Sequence, residues 1–398
     1  MSVLLKRIGQ YVIISVILLT PLILVNEINV GLGGSYAIKD YNIRAIKEYF
    51  MIIIIGLSIL YSFANQKFNW TYKFLPIMLL VMVILLLNNT KVPFNILVCG
   101  FRWLLPFLLP IFLYDFVEEK FLKKCYQALF FIFVIHVSMQ VVELFIMPHY
   151  NGTTYFGLTA RVPGIFNRSH ASAYFSCLFY LLLVKFAKSN SLVIGTILVV
   201  FSLILASSST GVIVFLVIFL INKYKKVINV REIIILLPVI VVLTFLNADE
   251  ITNRREGSSV SSISTRLRRF DVIFENSTLL SETFGYATNG AFTLHRTKGV
   301  MIKKDYFADS FYNSLFGNLG ILLTFAYFVL LCILFFYVVN HNLVYPLLFL
   351  LFYSMFSVSN IFTEVYPGNL FFSIMIAFFL KEYERNRVLN LIRHHYGL

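Results

Sequence analysis

Charge is scarce in this chain of 398 residues: 13% of them are Asp, Glu, Lys or Arg, while 59% are hydrophobic. A soluble domain of this size could not hide so much apolar surface, so the composition excludes a soluble globular protein and points to a membrane-embedded one. Cysteine is also scarce. The four (Cys99, Cys125, Cys177, Cys332) lie in or beside apolar runs, none at metal-ligand spacing, and read as small packing or lipid-facing residues. There is no CxxC, HExxH, DxD, Walker loop or GxSxG, so nothing supports a metal-centred, nucleotide-driven or serine-nucleophile enzyme. No metal and no cofactor is expected. A small-x-small cleavage site does not follow the first apolar run, which is therefore expected to stay as a helix.

What is abundant is apolar length. Runs suited to spanning helices lie near 10–26, 48–65, 74–89, 95–115, 125–147, 169–187, 190–206, 210–223, 232–247, 313–338, 343–361 and 366–381. The expected fold is thus all-α and polytopic, with about twelve transmembrane helices and one long extracytoplasmic loop. Its divisions are 1–247 (nine helices), 248–312 (the loop) and 313–398 (three helices and a tail). The net charge of +14 does not indicate nucleic acid, because most basic residues sit in short segments between apolar runs. With an inside N-terminus, 17 of the 33 basic residues fall in inside segments and six in short outside ones. Nine more lie in the long loop, and Arg102 lies within a run. That bias places both termini in the cytoplasm and the loop outside.

Two smaller stretches share the loop's side. Residues 36–50 carry apolar positions near helical spacing and are expected to form an amphipathic segment on the outer surface. Residues 148–168 are rich in turn formers.

Ionisable residues at membrane depth are costly and mark function or a buried pair. Arg102 precedes Pro106 and Pro110, so a kink with freed backbone carbonyls is expected there. His136, Gln140 and Glu143 are spaced by four and three, which puts them on one helix face. Arg102 and Glu143 either pair to hold helices together or line a substrate cavity; His136 reads first as a hydrogen-bonded packing residue and second as a proton relay. In the loop, SISTRLRRFDVIFEN reads as an amphipathic helix that places Arg266 and Arg269 on one side. Those arginines suit either lipid phosphates or a bound diphosphate, since planar guanidinium forks take phosphate oxygens two at a time. Asp309 stands at the mouth of the following helix with Tyr312 and Asn313 one turn on. It is a candidate general base or an N-cap. His295 is a second candidate base or a plain loop histidine.

Three motifs follow in order: RVPGIFNRSHASAYF from Arg161, STRLRRFD with FGYATNGA, and ADSFYNSLFGNLGILLT. With the helix layout and the late outer loop, they resemble the bacterial O-antigen and capsular repeat-unit polymerases and the related O-antigen ligases, over roughly residues 155–340. The resemblance implies a GT-C-like fold in the cytoplasmic membrane and a donor oligosaccharide carried on undecaprenyl diphosphate. It implies attack by a sugar hydroxyl of a second chain, Arg161 and Arg266 holding the leaving diphosphate, and Asp309 where the ligases tend to have histidine. Arg269, Arg102, Arg168, Glu143, Tyr312, Asn313 and His295 are counted with the substrate-binding groups. Partners would be the lipid-linked oligosaccharide, the growing polysaccharide, a chain-length regulator and a flippase. The alternatives are an O-antigen ligase and a lipid-linked oligosaccharide flippase or other transporter.

Overall fold

The computed structural model describes residues 2–23, 41–66, 68–88, 104–146, 162, 164–166, 169–206, 208–224, 311–359, 362 and 366–396. Among them there is helix and no strand. The α-helices are α1 (Ser2–Leu18), α2 (Tyr41–Ala64), α3 (Leu75–Asn88), α4 (Leu105–Leu113), α5 (Glu119–Ile146), α6 (Ser169–Phe186), α7 (Ser189–Ala206), α8 (Ser209–Tyr224), α9 (Phe311–Asn340), α10 (Val344–Ser359) and α11 (Gly368–Tyr396), with a 3-10 turn at Trp70–Phe74. Every expected apolar run except 232–247, which lies outside the described residues, carries helix in whole or in part. Three helical stretches (Glu119–Phe145, Ser189–Ala206 and Gly320–Asn340) are long and apolar enough to cross a membrane, and shorter apolar helices accompany them. This is a helical membrane protein by length and composition.

Helix bounds differ from the hydropathy runs where propensity continues past the apolar stretch. The expected surface segment at 36–50 is not separate from Tyr41 on. Tyr41–Ala64 is one helix, because nothing in it breaks a helix and its one glycine, Gly56, is tolerated in mid-helix. Likewise α11 runs on from the apolar run through KEYERNRVLNLIRHHY, a stretch free of proline and glycine.

The chain divides into two compact units. The first is Met1–Leu79, Leu104–Phe215 and Phe362–Leu398; the second is Leu80–Trp103 and Leu216–Ile361. In the first unit α1 packs on α2 and α5, α4 on α2 and α11, and α6 on α5, α7 and α11. Pro110 lies inside α4 and has no N–H to give the carbonyl of Pro106. Ser373 Oγ on α11 donates to that carbonyl at 2.9 Å, so the freed acceptor foreseen from the two prolines is satisfied by a neighbouring helix.

At one end of this unit the α4–α5 turn gathers three segments. Lys6 of α1 bonds to Glu118, and Gln10 donates to Phe116 O at 2.8 Å. Asn69 donates to Asp115 at 2.8 Å, Trp70 to the Tyr114 hydroxyl at 3.3 Å, and Tyr114 to Glu384 of α11. The Lys6 hydrogen bond holds the Glu118 carboxyl below its usual value, against partial burial.

In the second unit α9 packs on α10. The apolar run at 313–338 is not one straight rod. Gly320 has φ 69° and ψ −174°, which breaks the helix. The rings of Phe311 and Tyr327 lie 5.7 Å apart, and those of Tyr312 and Phe328 5.3 Å apart. Sixteen residues of straight helix would separate such pairs by about 24 Å. The first arm therefore folds back on the second, as a hairpin hinged at Gly320.

Candidate functional site

The polar residues of α5 do share a face, and that face meets α6 and α7. His136 and Gln140 are fully buried, as are Ser172 and Ser176 on α6 and Ser202 on α7. Small hydroxyl residues let these backbones come close, and they supply the polar partners. The Gln140 amide nitrogen reaches Val162 O at 2.9 Å, Ser172 Oγ at 3.2 Å and Ser202 O at 3.2 Å. Its carbonyl oxygen accepts from Ser202 Oγ at 2.7 Å. Ser176 Oγ donates to Ser172 O at 2.9 Å and lies 2.9 Å from Ser202 Oγ.

His136 Nε2 lies 3.1 Å from Ser172 Oγ and 3.3 Å from Ser202 Oγ. Its Nδ1 is buried without a partner. The Ser202 proton is used on Gln140, and Ser172 Oγ accepts from the Gln140 amide, so the His136 Nε2 closes the polar cluster between the two hydroxyls. His136 is the hydrogen-bonded packing residue the sequence suggested, set within a cage of the Phe133, Phe166 and Phe175 rings.

Over this face lies the described part of the first motif. Val162 N donates to Leu205 O of α7 at 3.0 Å, and Gly164 N donates to Glu143 Oε2 at 2.8 Å. Ile165 and Phe166 are buried. Gly164 adopts φ 63°, and a Cβ there would stand 2.6 Å from His136 Nδ1 and 2.8 Å from Gln140 Cγ. The segment thus enters the gap between helices as far as a bare backbone allows.

In the second unit, the Tyr312 hydroxyl donates to Ser354 O on α10 at 2.9 Å and Ser314 is buried. Tyr312 thereby fixes the first arm of α9 to α10.

Besides His136 and Gln140, the residues singled out from the sequence that can be placed are Glu143 and Tyr312, in separate units. Asn313 lies on α9, its side chain outside the described set. Arg161, Arg266, Asp309, Arg269, Arg102, Arg168 and His295 lie outside the described residues. The sequence reading missed Ser172, Ser176 and Ser202. The sequence offers a partial signal, Ser172 and Ser176 four apart in an apolar run, which does not say whether each bonds its own turn or a neighbouring helix. Among the described residues no group of His, Cys, Asp and Glu is placed to hold a metal ion. No family model, no curated protein and no solved structure matches the chain.

Proposed function

We propose that this chain is a multi-spanning, inverting glycosyltransferase that polymerises lipid-diphosphate-linked oligosaccharide repeat units on the outer face of a bacterial cytoplasmic membrane. In this reading it has twelve spans in a GT-C-like arrangement, both termini are cytoplasmic, and 248–312 is outside. The observation that carries the reading is the seat of the first motif. Val162 and Gly164 are hydrogen-bonded, and Phe166 packed, against the polar face of α5 near the C-terminal ends of α5 and α7, where α6 begins. With the basic-residue bias setting the orientation, those ends belong to the outer side, the side of the polar loop.

The chemistry follows from the residue types. A sugar hydroxyl oxygen attacks the anomeric carbon from the face opposite the diphosphate. The new C–O bond forms as the bond to lipid diphosphate breaks, and the leaving group takes the electron pair. Arg161 and Arg266 hold that diphosphate and stabilise the charge it gains. Asp309 takes the hydroxyl proton. The donor is expected to be undecaprenyl diphosphate-linked, and the acceptor is the growing polysaccharide or a second unit.

The test is in cells. Arg161→Ala and Arg266→Ala each remove long polysaccharide while the protein stays in the membrane. Full-length polymer from both would remove the diphosphate clamp. Complete polymer stranded on its lipid carrier in a deletion strain would instead assign a ligase.

A further inference from the structure

We infer that Glu143, counted from the sequence among the substrate-binding groups, is with Gln140 a positioning residue instead: the two hold the 162–166 segment at the ends of α5, α6 and α7 through its backbone, and do not themselves touch substrate. For its effect on polymer the inference rests on the function proposed above; for its geometry it does not.

Three backbone groups of a short stretch are taken up. Val162 N–H goes to Leu205 O, Val162 O takes the Gln140 amide, and Gly164 N–H goes to the Glu143 carboxylate. Two of those partners are side chains one helical turn apart on α5. The third is a main-chain carbonyl of α7. The stretch is also gripped from below, since Phe166 is buried against His136 and Phe175, with ring centroids 5.2 and 5.0 Å away. Gln140 in turn is held by Ser172 and Ser202. A carboxylate that accepts a backbone N–H is oriented by it, and the segment is oriented by the carboxylate. Arg161 immediately precedes Val162 in sequence, and Arg168 follows Phe166 by two. The motif's two arginines therefore flank, in sequence, a segment with a fixed seat, and stabilisation of a transition state by placed charge needs such a seat.

The acceptor matters here and the charge does not. A glutamine at 143 keeps an oxygen for Gly164 N–H; an alanine does not. That separates positioning from proton transfer or from charge pairing with a substrate, both of which need the carboxylate.

The experiment is hydrogen exchange on the full purified chain in lipid nanodiscs, followed by mass spectrometry of peptides covering 162–166. The wild type is expected to be protected. Glu143→Ala is expected to exchange about tenfold or more faster, as leaving the Gly164 N–H without its acceptor implies. Glu143→Gln is expected to stay near the wild type. Equal protection in Glu143→Ala, or protection lost in Glu143→Gln, overturns the inference. Should Glu143→Ala not be recovered folded, Glu143→Gln decides alone on the same terms. In cells, Glu143→Gln is expected to restore polymer that Glu143→Ala lacks; loss of polymer in Glu143→Gln with the segment still protected also overturns it. Failure of the function itself is read separately, from full-length polymer in Arg161→Ala and Arg266→Ala.

Discussion

Gly164 and His136 approach so closely that a methyl group on the glycine would stand 2.6 Å from the imidazole Nδ1. The glycine is also at φ 63°, where an L side chain is strained by about 1–2 kcal/mol. Neither neighbour can give way freely, because His136 is ringed by Phe133, Phe166 and Phe175. Gly164→Ala is therefore expected to cost about 2–4 kcal/mol, from strain plus overpacking. A thermal melt of the purified protein reads it as a clear drop in Tm. A melt indistinguishable from the wild type would contradict the packing described.

The serines of the buried cluster are not equivalent. Ser202 Oγ faces Gln140, Ser176 and His136 together. Ser176 Oγ bonds mainly back to its own helix at Ser172 O, an acceptor already used by the helix. Ser202→Ala leaves the buried Gln140 oxygen without its donor, costing about 1–3 kcal/mol, while His136 Nε2 keeps Ser172. Ser176→Ala costs less. Paired melts check the order, and the reverse ranking would mean that Ser202 is not the hub.

How much of this was legible in the residues varies with the physics. Apolar length alone marked the helices, because a bilayer sets a minimum span. The shared face of His136, Gln140 and Glu143 followed from spacings of four and three, and the freed carbonyl near Pro106 from a missing N–H. The ends of α2 and α11 were not legible from hydropathy, since backbone propensity carries a helix beyond its apolar stretch. The fold-back at Gly320 was only half visible: a glycine marks a possible turn, but its φ is set by the packing of Phe311 on Tyr327. The hydroxyl cluster was hidden for another reason. A serine in an apolar helix looks the same whether it bonds its own turn, as Ser176 does, or a neighbouring helix, as Ser202 does.

Acid acts at the other end of the first unit. Glu118 has its carboxyl lowered from 4.5, first by the hydrogen bond from Lys6. A lowered folded value means that the pair stabilises above pH 4.5 and that the gain is lost as pH falls through the folded value. The side chain is 46% exposed, so the effect is small. Melts of wild type and Glu118→Gln are expected to differ modestly near neutrality and to converge under acid. A gap that widens as pH falls would reverse the sign.

Topology is open to labelling. With Cys332 and the other native cysteines replaced, a cysteine at Ser258 is expected to react with a membrane-impermeant maleimide in intact spheroplasts. One at Asn390 is expected to react only after lysis. The opposite pattern would put residues 248–312 on the cytoplasmic side and leave the sugar transfer without a site.

The central claim is tested most directly by elongation in vitro. Purified protein in nanodiscs is given lipid-diphosphate-linked repeat units, and the products are sized while released lipid diphosphate is measured. The account predicts a ladder of longer lipid-linked chains, one lipid diphosphate released per bond formed, and no ladder from Arg161→Ala or Arg266→Ala. Units left at their starting length by a folded wild-type protein, or a ladder unchanged in both variants, would contradict it.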